Sequence, residues 1–257
     1  MGYETLIVEK VGAVVTVTLN RPQARNALDL VMRRELVGAL DDIESDASAR
    51  VVVLTGAGGH FCAGGDVKSM QPGSAAADGR ERVVALNRLV MRLVEFPRPV
   101  IAMVDGFAVG AGCNLALCCD MIVASDRARF GEVFARIGLV PDGGGSWLLP
   151  RVVGLPRAKE LIFTADIFDA AEAARIGLVN RVVPAAELAA ATRALAERIA
   201  QGPPKVLAMA KHMINRAATS DLDNALDVEA FSQAIAITGD EHREGLAAFF
   251  EKRPAKF

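Results

Sequence analysis

The sequence predicts an α/β fold whose strands pair in parallel. Apolar, β-branched runs near residues 51–55, 100–104 and 121–124 alternate with helical patterns near residues 80–95 and 113–119. A strand, a helix and a further strand in that order need a crossover connection, which is typical of parallel pairing. A chain of 257 residues is long enough to bury a large core in one such unit.

The spacing of apolar residues predicts the elements that precede the first of these strands. Residues 6–19 are predicted as a β-hairpin that turns at residues 11–13, because apolar runs flank a glycine there. Residues 28–45 carry apolar side chains at helical spacing and are predicted as a helix. Residues 71–79, rich in glycine, serine and alanine, are predicted to form a mobile insert.

The C-terminal part is predicted to be helical and rich in alanine. Four segments follow the helical period, over residues 187–201, 205–218, 222–237 and 240–253. Pro203 and Pro204 separate the first two, and Thr238 and Gly239 separate the last two.

Composition excludes several classes of protein. A net charge of −2 without a basic cluster argues against nucleic acid as the partner. No apolar run is long enough to span a membrane and the first residues lack a signal pattern, so we expect a cytoplasmic protein without a membrane partner. The four cysteines lack C-x-x-C spacing and a nearby histidine pair, which predicts no metal site.

Two glycine-rich loops leave predicted strands. Residues 56–66 contain five glycines, and residues 106–114 lead directly into a buried helical stretch. Glycine permits close backbone approach, and the first N–H groups of a helix have no partner within the helix. Two such N–H groups that converge on one oxygen would form an oxyanion hole.

The residues of these loops resemble the crotonase, or enoyl-CoA hydratase/isomerase, superfamily. Residues 55–66 are similar to its first oxyanion loop and residues 105–120 to its second, and the similarity extends from residues 19–28 to residues 244–253. The resemblance implies a crotonase-like ββα spiral core with an acyl-CoA site over residues 1–184. It also implies a helical oligomerisation region over residues 185–257, within one functional unit that assembles as a homotrimer or hexamer.

The resemblance further implies which residues form the site. The oxyanion N–H groups are expected at Ala63 and Ala111. No cofactor and no metal are expected, because coenzyme A enters as part of the thioester substrate. The substrate-binding positions carried over from the family are Arg25, Ala63, Gly64, Gly65, Asp66, Ala111, Gly112, Asn114, Phe134, Phe249 and Lys252.

The carboxylates discriminate between branches of the family. Family hydratases carry glutamates at the positions of Asn114 and Phe134, so both are missing here. Asp142 lies at the place where isomerase branches, including one that acts on ring-epoxidised phenylacetyl-CoA, carry an aspartate for proton transfer. The alternative for Asp142 is a purely structural cap on the helix that follows it.

We therefore expect an acyl-CoA isomerase that shifts a C=C bond of an enoyl-CoA, or rearranges a ring-type acyl group, through a thioester enolate. The first alternative is a 2-enoyl-CoA hydratase in which Glu132 substitutes for a missing glutamate. Two further alternatives are an acyl-CoA-binding protein without turnover and a hydrolase or dehalogenase with Asp142 as nucleophile. A dinucleotide site after residue 104 is disfavoured, because the third glycine of its fingerprint is missing.

Overall fold

A six-stranded sheet lies at the centre of the computed structural model, which describes residues 2–67 and 75–257. Its strand order is β1-β2-β3-β4-β6-β9, and a second sheet has the order β5-β7-β8. The strands are β1 Leu6–Val11, β2 Val14–Leu19, β3 Val51–Gly56, β4 Val100–Val104, β5 Phe107–Val109, β6 Met121–Ser125, β7 Arg129–Gly131, β8 Phe168–Asp169 and β9 Arg181–Val183. Every neighbouring pair in the large sheet after β1–β2 is parallel, which confirms the predicted α/β class.

The N-terminal hairpin forms as predicted. β1 and β2 pair antiparallel, and the register places Val11 opposite Val14 at the end of the ladder. Gly12 lies in the turn with φ +61°, a conformation that glycine adopts without steric cost.

The small sheet is absent from the sequence-based prediction. β5 occupies residues that the sequence assigns to the second glycine loop, and β7 and β8 span three and two residues. Strands of this length are too short to show an alternating pattern. Their pairing is decided by the chain segments that tertiary folding brings beside them.

The predicted helices are all present, with ends that differ by a few residues. α1 begins one residue after Asp29, whose Oδ1 accepts the Met32 N–H at 2.8 Å and so caps the helix. The helices are α1 Leu30–Ser45, α2 Ala76–Val94, α3 Ala111–Leu117, α4 Gly145–Val153, α5 Leu155–Thr164, α6 Ala170–Arg175, α7 Leu188–Ala200, α8 Pro204–Ala217, α9 Leu222–Ile237 and α10 Asp240–Glu251. Within the described ranges, none has the length and apolarity needed to cross a membrane.

The predicted insert over residues 71–79 is only partly covered by the structure. Residues 76–79 form the first turn of α2, so the insert is shorter than the sequence predicts. Residues 71–74 lie outside the described residues.

Successive residues of β3 face two different hydrophobic clusters. Val52 and Leu54 belong to the main core, whereas Val51 and Val53 pack with Leu195 and other residues of α7. This alternation means that the sheet is covered on both faces, as parallel sheets require. α7 therefore packs directly on the sheet. The division of the chain into a core over residues 1–184 and a helical region over residues 185–257 stays a prediction.

We expect Leu195→Ala to lower the free energy of unfolding by about 2–5 kcal/mol, because it leaves a cavity between α7 and the sheet. Leu195 is 5% exposed. Leu155→Ala is the matched control, since Leu155 is 58% exposed and its truncation removes little buried surface. Denaturant titration compares the two, and equal destabilisation would contradict the packing role of α7.

Candidate active site

The two glycine loops are joined through their backbones. The Cys62 N–H donates to the Phe107 carbonyl at 2.8 Å, and the Val109 N–H donates to the Cys62 carbonyl at 3.1 Å. Gly112, in the first turn of α3, allows this approach, since a Cβ there would lie 2.2 Å from the Cys62 carbonyl oxygen. The loops therefore converge, as the sequence predicts.

Asn26 holds the first loop against the segment that follows β2. Its Oδ1 accepts the Arg21 N–H at 2.9 Å, and its Nδ2 donates to the carbonyls of Ala57 and His60 at 2.9 and 2.7 Å. The Arg21 guanidinium also pairs with the carboxylate of Asp66 at 2.9 Å. Sequence reasoning missed Asn26, because a single polar residue beside an apolar stretch gives no sign of burial.

The free N–H of the first loop is not the one that the sequence predicts. The Ala63 N–H donates to the Arg25 carbonyl at 2.9 Å, so it is not available to an incoming oxygen. Leu28 donates to the Gly64 carbonyl and accepts the Asp66 N–H, which leaves the Gly65 N–H pointing away from Leu28. Gly65 has no acceptor among the described residues, and the assignment of the donor at Ala63 is corrected to Gly65.

The second loop leaves the N–H of Ala111 without an acceptor among the described residues. This N–H belongs to the first residue of α3. Such groups are left unpaired at every helix start. A Cβ built on Gly64 would lie 3.6 Å from the Ala111 nitrogen, so the two loops meet close to this free donor.

A buried amide links residues that are far apart in the sequence. Asn114 Nδ2 donates to the Asp142 carbonyl at 2.8 Å and lies 3.5 Å from Glu132 Oε2. Its amide packs against Gly145, where an added Cβ would lie 2.4 Å from Nδ2. The structure thereby brings Asn114, Glu132 and Asp142 together.

Asp142 does not cap α4. The N-cap of that helix is Gly144, without a side-chain hydrogen bond, so the capping alternative is wrong. Asp142 Oδ1 is buried and has no hydrogen-bond partner among the described residues. Burial raises the pKa of the Asp142 carboxyl above its usual value, and the nearby Arg33 guanidinium opposes this shift.

Arg33 is a buried cation that sequence reasoning missed. It lies on α1, and its Nη2 donates to the Leu28 carbonyl at 3.2 Å while its Nε has no partner. The signal was a charged residue between Met32 and Leu36 on the apolar side of the predicted helix.

Glu132 is a second carboxyl group at this site. It is 1% exposed, and burial, with a smaller contribution from the Asp142 charge, raises the pKa of Glu132 to about 7. Hydrogen bonds from the Cys113 thiol and the Asn114 amide oppose that rise. In the part of the chain that the structure describes, its Oε1 has no hydrogen-bond partner. A carboxyl group with this pKa can give or take a proton near neutral pH.

The other predicted binding residues are spread over the chain. Arg25 is exposed and lies over the Phe107 ring at 5.5 Å, and Phe134 is buried beside Gly110. Phe249 is 77% exposed and borders a cavity between α8 and α10, and none of the described glycine-loop residues lines it. Lys252 ends α10. Within a single chain, Phe249 and the described glycine-loop residues therefore do not line the same cavity.

An apolar cavity of about 580 Å³ lies between α2, α4 and α8. Gly144, two positions after Asp142, borders it together with Val90 and Leu148. Trp147 lines it as well.

The four cysteines are buried and form no disulfide with one another. Burial raises the pKa values of the Cys62 and Cys118 thiols to about 12, so both stay protonated at neutral pH. In the described ranges, no three His, Cys, Asp or Glu side chains are grouped so that they could hold a metal ion.

Comparison with known proteins shows the family to which the chain belongs. Residues 9–257 match the family model described as enoyl-CoA hydratase/isomerase. The chain is 39% identical to crotonyl-CoA hydratase of Syntrophomonas wolfei, over 100% of this chain and 99% of the relative. It is 40% identical to 1,2-epoxyphenylacetyl-CoA isomerase of Escherichia coli, over 95% and 94%.

A solved structure, the enoyl-CoA hydratase of Bacillus anthracis, superposes with a TM-score of 0.95 at 36% identity and covers 99% of both chains. The similarity in sequence and in fold thus runs along the whole chain, including both glycine loops and the C-terminal helices. The chain belongs to the enoyl-CoA hydratase/isomerase family, within the crotonase superfamily.

Proposed function

We propose that this protein is an acyl-CoA isomerase that moves a C=C bond of an enoyl-CoA thioester by proton transfer through Asp142. The observation that carries the proposal is the Asp142 carboxyl, which is partly buried and, among the described residues, caps no helix and keeps one oxygen without a partner. Its backbone carbonyl accepts a hydrogen bond from the Asn114 amide, which fixes the backbone from which the carboxyl extends.

The proposed chemistry begins with ionised Asp142. Its carboxylate takes a proton from C2 of a 3-enoyl thioester, and the electron pair of that C–H bond spreads toward the thioester oxygen. The free N–H groups of Gly65 and Ala111 hold the negative oxygen. Each such donor typically contributes about 3 kcal/mol of transition-state stabilisation, so the pair is a major part of catalysis. Return of a proton at C4 completes the shift.

Binding of the thioester is part of the same proposal. The cavity beside Gly144 has room for an apolar acyl group, and its walls are mainly aliphatic and aromatic. Arg25 and Asp66 flank the first loop, where the pantetheine arm would enter. Phe249 and Lys252 are assigned to the adenine and phosphate end of coenzyme A on a neighbouring subunit. No metal or redox cofactor takes part in the proposed reaction.

A 2-enoyl-CoA hydratase is the second candidate function. Hydration needs an oriented water and two acid–base groups, and Glu132 lies beside Asn114 as a second buried carboxyl. Two of the three similar proteins named above carry hydratase names. Against this candidate, Asn114 and Phe134 stand at the two glutamate positions of family hydratases.

Asp142→Asn tests the proposed role directly. We expect isomerisation to fall by about 10²- to 10⁴-fold, the usual effect of losing a general base, while acyl-CoA binding stays largely intact. Steady-state kinetics and calorimetric titration with a saturated acyl-CoA provide the two measurements. Asp166→Asn, at an exposed aspartate, is the matched control. Near-full isomerisation by Asp142→Asn would contradict the mechanism.

A turnover screen separates the candidate functions. We expect the wild-type enzyme to convert 3-enoyl-CoA or ring-epoxide thioesters faster than it hydrates crotonyl-CoA, because one carboxylate suffices for a double-bond shift. A chelator should leave the rate unchanged. Faster hydration of crotonyl-CoA would select the hydratase, and a trapped acyl-aspartyl adduct would select the nucleophilic mechanism. Binding of these thioesters without turnover of any of them would select the acyl-CoA-binding protein.

We also propose that the protein assembles as a trimer or hexamer through its last helices. Large apolar side chains are exposed on α9 and α10, among them Phe231 at 74% and Phe250 at 73%. Contiguous exposed apolar surface is typical of interaction sites. Light scattering at micromolar concentration should give a trimeric or hexameric mass. A monomer would contradict the assembly and any coenzyme A site shared between subunits.

A further inference from the structure

The proposed isomerase mechanism assigns no role to Glu132, although burying this carboxyl is costly. Its Oε1 has no partner within residues 2–67 and 75–257, and its Oε2 lies 3.5 Å from the Asn114 amide, at the limit of a hydrogen bond. Buried polar atoms in native proteins nearly always have partners. An unpartnered carboxyl oxygen in a site with a second carboxyl therefore calls for an explanation other than packing.

Three unpartnered oxygen atoms belong to this one group of residues. They are Glu132 Oε1, Asp142 Oδ1 and Asn114 Oδ1, all buried. Asn114 connects the two acidic residues, since the same Nδ2 donates to the Asp142 carbonyl and faces Glu132. These three oxygen atoms are therefore available to bind a molecule that is not part of the chain.

The surroundings of the two carboxyls differ in charge. Asp142 is influenced by the Arg33 guanidinium on α1, which favours its ionised form. Glu132 faces the neutral Cys113 thiol on α3, the Asn114 amide and the Asp142 carboxyl, and no cation among the described residues acts on it. Two neighbouring carboxyls whose environments differ in this way divide the roles of acid and base between them.

We propose that Glu132 is the second proton-transfer residue of this site, the neutral acid that gives a proton to the substrate after the Asp142 carboxylate has taken one. The inference rests on the proposed isomerase function and deepens it. The C2 proton bonds to Asp142, and the π electrons of the dienolate form the new C4–H bond with the Glu132 proton. Glu132 is left ionised and Asp142 neutral, and a proton returns from Asp142 to Glu132 through water to reset the site.

The first test is the pH profile of isomerisation. Activity should rise as Asp142 ionises and fall about tenfold per pH unit above about pH 7, because Glu132 then loses the proton that it must give. Glu132→Gln should lower kcat about 10²-fold or more and remove the falling limb, with binding of a saturated acyl-CoA changed less than about threefold. Glu9→Gln, at an exposed glutamate on β1, is the matched control.

The second test follows the proton from C2 of the substrate, in the wild-type enzyme and in Glu132→Gln. With substrate deuterated at C2, wild-type product should carry hydrogen from solvent at C4, because the proton comes from Glu132 rather than from C2. In Glu132→Gln, Asp142 must carry the label itself, so deuterium should appear at C4. Both results together would support the two-carboxyl assignment.

Two results would overturn it. Transfer of the C2 label to C4 by the wild-type enzyme would show that one carboxylate does both steps, whether or not the variant folds. A folded Glu132→Gln variant with wild-type kcat and an unchanged falling limb would do the same. If Asp142→Asn is inactive, either result rejects only the role of Glu132 and leaves the proposed isomerase function standing. A wild-type enzyme that isomerises nothing removes the proposed function as well.

Discussion

The close backbone contact between the two glycine loops is the constraint on which the site depends. Cys62 exchanges hydrogen bonds with Phe107 and Val109, and Gly112 leaves room for the Cys62 carbonyl. This pairing consumes some N–H groups and leaves others without acceptors. The free donors are therefore fixed by the backbone, and no side chain has to be ordered to provide them. Preorganised donors of this kind act on a developing charge without reorganisation when the reaction occurs.

The buried polar residues around Asn114 complement these donors. Burying carboxyl and amide groups without full hydrogen bonding costs stability, and the surrounding apolar core must compensate for it. The same burial changes the affinity of Glu132 and Asp142 for protons. Stability and acid–base chemistry are thus linked through the burial of these groups. Gly145 is tied to this arrangement because any Cβ there would collide with Asn114.

Family membership by itself does not determine the reaction. The chain matches a crotonyl-CoA hydratase and an epoxyphenylacetyl-CoA isomerase at nearly the same identity. The fold and the glycine loops suit any reaction that passes through a thioester enolate, and the carboxylates decide which bond is changed. Asn114, Glu132 and Asp142 are for that reason more informative here than overall similarity.

The sequence by itself determined the α/β class, the parallel strands, the C-terminal helices and the two loops, because these depend on hydrophobic period and on glycine content. The roles expected for Ala111 and Asp142 came from the family resemblance of the sequence around them, and they stay predictions. Only the tertiary structure decided that Gly65 rather than Ala63 keeps a free N–H, because the partner of Ala63 lies on the distant Arg25 segment. The burial of Arg33 and the placing of Glu132 beside Asn114 likewise arise from packing between segments that are far apart in the sequence. Local patterns cannot encode such contacts, whereas the folded chain fixes them through hydrogen bonds and exclusion of water.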